Sequence, residues 1–207
     1  MTQASHATLA HAAAPAGRAL VDILLSRQSH FQLAEPAPRD EEIELIFDAA
    51  MRAPDHAQLR PWRFALIRDE ARAELAEVLV ELAAAREPQL TRDELESRGD
   101  TARSTPLIIA VAAAIREDGG IPEVEQLLST GAATMNMLNT IHALGYGAFW
   151  ITGDDSYDPK LPAALDFEPG DRLLGFLLVG TPVSQDAPPP RPSRADHVRE
   201  WLGRSSI

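Results

Sequence analysis

The chain of 207 residues contains no cysteine. That absence excludes thiol nucleophiles, disulfides and thiolate metal sites, although it leaves the compartment open. Aromatic residues are scarce at 5%, and much of the 45% hydrophobic content is alanine. Such a core buries less area per residue than a leucine-rich one, so an oligomer would help it. Positive charge is also short: 19 Lys and Arg stand against 31 Asp and Glu, a formal net charge of −12. Nucleic-acid backbones and anionic membranes are poor partners for such a surface. No apolar run approaches the ~20 residues of a membrane-spanning helix. Residues 1–17 hold His6 and His11 but no Lys or Arg before Arg18, whereas a secretory signal opens on basic residues and a compact apolar stretch. They read as a loose N-terminal tail, and a cytoplasmic location is expected. Two scattered imidazoles make a poor metal site, ligand spacing is no better elsewhere, and no metal is expected.

What remains is one domain, residues 18–207, ending in an extended arm from about residue 183. From Val124 to Leu144 apolar residues occupy nearly every face of a helix, interrupted mostly by small or neutral ones. A helix apolar on all sides must be covered on all sides, so it is central or lies in a subunit interface. Gly145 is its expected left-handed C-cap, followed by a short strand, Ala148–Thr152. Pro106 opens LIIAVAAAI, a strand buried on both faces, and Leu173–Val179 is another. Phe64–Ile67 is a further strand. Helices are expected over Arg18–Ser26, over Asp40–Ala50 with Asp40 as N-cap, and over Glu70–Ala85. Residues 86–104 read as helical or partly mobile, Asp158–Leu165 as a short helix, and Asp196–Leu202 as a last amphipathic piece after a proline-rich stretch. The fold class is α+β, with a mixed or antiparallel sheet of about four to five strands flanked by helices.

Three clusters offer chemistry. Arg27-Gln28-Ser29 sets a guanidinium, an amide and a hydroxyl at a helix end, suited to a phosphate or a heterocycle edge; the plainer reading is a basic helix terminus opposing the dipole. Between a helix end and a strand, MRAPDHAQLRPWRF gathers Arg52, Asp55, His56, Gln58, Arg60 and Arg63 in a loop pinned by Pro54 and Pro61. Asp55 and His56 could be read as an acid–base pair, but neighbours in sequence rarely face each other and no nucleophile accompanies them. His56 is better read as a donor or stacking group, and Trp62 as core. Third, Arg191 and Arg194 stand on a stiff arm that could reach a phosphate across the molecule. The Gly145-Tyr146-Gly147 turn follows a helix and is no dinucleotide fingerprint.

In their order, RQS, LAEPAP, AAMRAPDHAQLRPWRF, PLII, STGAATMNMLNTIHALGYGAFWITG and LLGFLLVGTP resemble the nitroreductase family, and most closely its short single-domain NAD(P)H nitroreductases. The resemblance implies a homodimer with a long buried central helix and FMN at the subunit interface. It implies that Arg27, Gln28 and Ser29 contact the FMN, and that Arg52, His56 and Gln58 belong to the flavin site, Arg52 and His56 reaching the flavin of the other subunit. Trp150, Ile151, Thr152 and Gly153 would follow the strand past the flavin, and Arg194 with Arg191 would clamp the phosphate. Thr140, Ile141, His142, Ala143, Leu144 and Gly145 align with a segment that contacts NAD(P). The chain departs from the pattern at Gln28, where relatives carry a second arginine, at Gln58, where longer ones carry asparagine, and at Ile151, where the short branch carries arginine. The implied activity is an FMN-dependent NAD(P)H oxidoreductase, with ping-pong hydride transfer through flavin N5 to nitroaromatic or quinone-like acceptors. No side chain is assigned as catalytic acid or base. The alternatives are a non-enzymatic flavin-binding or sensing dimer, or an FMN enzyme of the same fold performing another reduction or dehydrogenation.

Overall fold

The computed structural model describes residues 15–118, 120–184 and 187–203. Two fully apolar runs set its centre. β3 (Leu107–Ala114) and β5 (Asp171–Pro182) pair antiparallel from Leu107↔Val179 to Ala114↔Asp171. β2 (Trp62–Ile67) adds to β3, while β4 (Gly147–Ile151) and the two-residue β1 (Leu33–Ala34) both pair with β5. All pairings are antiparallel, so the expected α+β sheet has five strands and no parallel pair.

Alternation along β3 divides the core. Leu107, Ile109 and Val111 face α2 (Asp40–Ala50) and α6 (Glu123–Ala143), joining Ile46, Met137 and Ile141. Ile108 and Ala110 join the opposite cluster, which holds Leu75 and Leu82 of α3 (Ala71–Arg86), Ala102 of α5 (Asp100–Ser104) and Leu161 of α7 (Leu161–Ala164). Between α3 and α5 lies α4 (Arg92–Ser97), opened by a Thr91–Glu94 capping box. The stretch 86–104 thus resolves into two short helices.

Three local expectations are corrected. α1 (Pro15–Ser26) begins inside the segment read as a tail; residues 1–14 lie outside the described residues. The N-cap of α2 is Arg39, because Glu42 reaches back to the Arg39 N–H at 2.9 Å. Asp40 sits one residue inside and binds Arg68 instead. Residues 196–203 form no helix beyond a 3-10 turn at Arg194–Asp196, and Val198, Trp201 and Leu202 are exposed. α6, expected to be central or in a subunit interface, is not covered all round within one chain. Gln126, Thr130, Ala133, Met137 and Ile141 are buried, but Val124 is 59% and Leu128 68% exposed. One chain supplies α2 and the sheet on one side only. Among the described residues, no helix is long and apolar enough to cross a membrane.

β5 also carries a bulge. Val111 pairs with Gly175 and Ala112 with Leu173, which leaves Leu174 without a ladder partner. Its carbonyl accepts the Trp150 indole N–H at 3.0 Å. Gly175 beside it has φ +115°, and a Cβ there would lie 2.3 Å from the Ile151 carbonyl. Gly175→Ala should therefore cost roughly 3 kcal/mol or more, read as a lowered Tm or loss of soluble protein. A wild-type Tm would show that β4 does not approach β5 in this way. A second tie joins α2 to the turn after α6: the Tyr146 hydroxyl donates to Glu42 at 2.9 Å. Hydrogen bonds from Arg39 and then Tyr146 hold the Glu42 carboxyl at about 2, below its usual 4.5. A depressed carboxyl stabilises the fold above its ordinary value, and that contribution fades as pH falls towards the folded value. Glu42→Gln should lower Tm at neutral pH, with the difference from wild type closing as pH falls from 4.5 towards about 2; a pH-independent difference would contradict this.

Candidate functional site

The end of α1 and the end of α6 meet. Ser26 Oγ and His142 Nε2 share a hydrogen bond of 3.0 Å. The next residue, Arg27, is half-buried, and its carbonyl accepts from the Arg191 guanidinium at 2.6 Å. Sequence separation hides this meeting, since Arg191 is 164 residues from Arg27. Burial and then the Arg191 charge lower the Arg27 pKa. His142 is likewise pushed below its ordinary 6.5, first by burial, then by Arg27 and His30. Among the described residues no ion pair links Arg27, Arg191 or His142 to a carboxylate. Cationic and polar donors thus converge without a counter-charge in a chain whose net charge is −12. An anion would match such a donor set in charge. Nearby, a cavity of about 180 Å³ opens between Gln28, Ser29 and Phe31 on one side and Ser184 and Pro189 of the arm on the other.

β4 starts beside this cluster, for the His30 N–H donates to the Ala148 carbonyl at 2.9 Å. The strand then leads through Trp150, 38% exposed, to half-buried Ile151, exposed Thr152 and Gly153 at φ +96°. Among the described residues β5 is the one strand that pairs with β4, whose Ala148 carbonyl is taken by the His30 N–H. On α6, Asn139 Oδ1 is buried without a hydrogen-bond partner. Arg194 stands exposed on the arm, beginning a 3-10 turn capped by Ser193 Oγ. Of the segment expected to touch NAD(P), Ile141 is in the core, Thr140, His142 and Leu144 are half-buried, and Ala143 and Gly145 are exposed. Thr140 turns its hydroxyl back to the Asn136 carbonyl.

The loop with Arg52, His56 and Gln58 lies elsewhere. Ser129 Oγ donates to the Pro54 carbonyl at 2.8 Å, and His56 Nδ1 meets Glu125 at 2.6 Å. Both anchors belong to the first half of α6. Asp55 accepts from the Arg60 N–H at 2.7 Å and does not face His56, so no acid–base pair forms there. Ala57, Gln58 and Arg60 all have φ between 50° and 57°. Three non-glycine residues in the left-handed region within one short loop store strain, a feature that collects at functional sites. Glu125 to His142 spans 17 helical residues, roughly 25 Å at 1.5 Å each. One chain therefore brings Arg27–Ser29, His142, Arg191 and β4 together, and leaves Arg52, His56 and Gln58 at the far end. Sequence reasoning passed over Ser26, His30, Glu125 and Ser129. His30 adjoins Arg27-Gln28-Ser29 and was open to notice; Glu125 and Ser129 become meaningful only once α6 packs on the loop.

These features place a cluster of cationic and polar donors beside β4 in an α+β fold. The sequence model of the nitroreductase family matches residues 24–181. An Escherichia coli (strain K12) protein named "Putative NAD(P)H nitroreductase YdjA" is 35% identical over 181 residues, covering 83% of this chain and 96% of that one. The chain belongs to the nitroreductase family and is an oxidoreductase. Among solved structures, a nitroreductase-like family protein from Bacillus cereus superposes with a TM-score of 0.76 at 21% identity, covering 98% of this chain and all of that one. A nitroreductase from Desulfovibrio desulfuricans, solved in complex with FMN, gives a TM-score of 0.68 at 25% identity, covering 89% of this chain and 98% of that one.

The shift at His142 has a measurable consequence. The unfolded chain takes up a proton as pH falls through 6.5, whereas the folded chain resists until lower pH. Stability from this group is present above 6.5 and is lost as pH falls through the folded value. His142→Gln should flatten the decline of Tm on acidification just below 6.5. An unchanged slope would mean that His142 titrates as if exposed.

Proposed function

We propose that the chain is an FMN-dependent NAD(P)H oxidoreductase that works as a homodimer, each flavin held by residues of both subunits. The observation that supports this most is the convergence of Arg27, His142 and Arg191 without a carboxylate partner. A phosphate fits that donor set in charge and hydrogen-bonding capacity. Arg27, Ser29, Arg191 and Arg194 would hold the phosphate, Gln28 the ribityl chain or pyrimidine edge, and Trp150, Ile151, Thr152 and Gly153 the region of the ring. Bound there, FMN supplies ping-pong hydride chemistry between NAD(P)H and an electron acceptor, with nitroaromatics or quinones as the acceptor class. The protein's part is to bind, orient and exclude water. No side chain is assigned as acid or base, and water serves as proton source. Of the segment aligned with NAD(P) contacts, Thr140, His142, Ala143, Leu144 and Gly145 are at least partly exposed, whereas the Ile141 side chain is not. A cytoplasmic location goes with a pyridine-nucleotide donor.

The need for a second copy rests on α6. Its open stripe runs Val124, Leu128, Gly131, Met135, and a Cβ on Gly131 would touch nothing. Two antiparallel copies of α6 crossing on a two-fold axis near Ala133 pair Gly131 with Met135 and Val124 with His142. That arrangement lays the Arg52–Gln58 loop of one subunit beside Arg27 and His142 of the other, and joins the two groups that one chain keeps apart. It also covers Leu128, and α1, which packs on α6, carries the exposed Leu20, Leu24 and Leu25. Obligate interfaces of this kind bury ~2,000 Å² or more.

Two measurements test this. Arg27→Ala should weaken FMN binding by roughly 2–5 kcal/mol, read by flavin fluorescence titration; unchanged affinity would remove Arg27 from the site. Arg27→Ala and His56→Ala chains, each defective as homodimers, should regain FMN binding at about a quarter of their sites when unfolded and refolded together. Mixing that restores nothing would mean that each site lies within one chain.

A further inference from the structure

The end of α3 carries a chain of four charges of alternating sign. Arg98, the C-cap of α4, binds Glu87 at 3.2 Å; Glu87 binds Arg86 at 3.2 Å; and Arg86 binds Asp155 at 2.8 Å. Glu87 is itself the C-cap of α3, where a carboxylate opposes the helix dipole. The guanidiniums on either side of it offset that placement. The outer link joins residues 69 apart in sequence, and its side chains are only 29% and 22% exposed. Isolated exposed ion pairs contribute little to stability; several charges joined in one partly buried network are the exception.

Asp155 lies in the 3-10 turn Asp154–Tyr157, which follows β4 after Thr152 and Gly153. Pairing of β4 with β5 stops at Ile151↔Phe176, so the ladder does not hold what comes next. Packing holds it weakly too, because a cavity of about 100 Å³ separates Ile151 and Thr152 from Leu75 and Leu79 of α3. Asp155 lines the same cavity. Among the described residues, the Arg86–Asp155 pair is the one side-chain hydrogen bond or ion pair that joins residues 152–155 to another element. The turn itself is closed by the Ser156 N–H on the Gly153 carbonyl and the Asp158 N–H on the Asp155 carbonyl. Fixing Asp155 therefore fixes Gly153 as well. The ion pair ties the end of β4 to α3 across an unfilled gap.

We infer that Arg86 and Asp155 are positioning residues, whose ion pair sets where Ile151, Thr152 and Gly153 stand and so how a flavin ring lies against them. This rests on the reading that puts the ring beside Trp150–Gly153. Arg86 acts through Asp155, Asp155 acts through the closed turn, and Glu87 with Arg98 keeps the Arg86 guanidinium in place.

Hydrogen–deuterium exchange of the full flavin-free chain tests the tie. Arg86→Gln and Asp155→Ala should each speed exchange of the peptide spanning 152–158 by about tenfold, with far-UV circular dichroism unchanged. Arg86→Lys keeps the cation and should stay close to wild type. Arg103→Gln is the control: it breaks ion pairs to Glu77 of α3 and Glu96 of α4, and should lower Tm without speeding that peptide. Unchanged exchange in Arg86→Gln and Asp155→Ala, or an equal rise in Arg103→Gln, overturns the tie. In the FMN-loaded protein the same two variants should shift the visible band of the bound flavin and slow its reduction by NAD(P)H by on the order of tenfold or more, and Arg86→Lys should retain both properties. A wild-type spectrum and reduction rate in Arg86→Gln and Asp155→Ala overturns the positioning role. A wild-type chain that binds no FMN would sink the flavin reading instead, and exchange on the flavin-free chain would still decide the tie.

Discussion

Helix α6 presents more apolar surface than a single chain covers, and the remaining architecture answers to that excess. One side of the helix closes against β3, β5 and α2, where Ala133, Met137 and Ile141 are completely buried. The other side keeps Val124, Leu128 and Met135 open. Removing such surface from water is favourable at roughly 25 cal/mol per Å². The same helix positions both halves of the candidate site: its first half anchors the strained loop through Glu125 and Ser129, and its last turn meets Ser26 through His142. Both features bear on the second copy proposed above.

Electrostatics adds a separate constraint. The chain is acidic as a whole, yet Arg27, Arg191 and His142 gather where, among the described residues, no carboxylate pairs with them. Like charges brought together and partly dehydrated are unfavourable unless a counter-charge arrives. An arriving anion would relieve that repulsion. A cavity of about 670 Å³ between the start of α6, α7 and the start of β5 has the opposite bias, lined by Glu123, Asp158, Glu168 and Asp171 with Arg172 paired to Glu123.

Much of the fold was legible from local pattern. LIIAVAAAI could be little other than a buried strand, and Gly145 ended α6 in the left-handed conformation expected of it. Strand boundaries were too short at Phe64 and Leu173, because ladder hydrogen bonds extend pairing past the apolar residues to Trp62 and Asp171. The Asp40 cap was misplaced by one residue, since Asp40 found Arg68 and Glu42 closed back on Arg39. The C-terminal piece kept its apolar residues but formed no helix, as nothing in one chain gives Val198, Trp201 and Leu202 a surface to pack on.

By itself, the sequence determined which segments must be buried, where the chain turns, and which residue types were available for chemistry, because those follow from periodicity, proline and glycine stereochemistry, and charge. Its order of motifs also carried the family resemblance. Only the tertiary structure decided which of those residues meet. Arg191 reaches Arg27 across most of the chain, the Leu174 bulge frees a carbonyl for Trp150, and Ser156 Oγ is buried without a partner. Such meetings depend on long-range packing, and no local pattern records them.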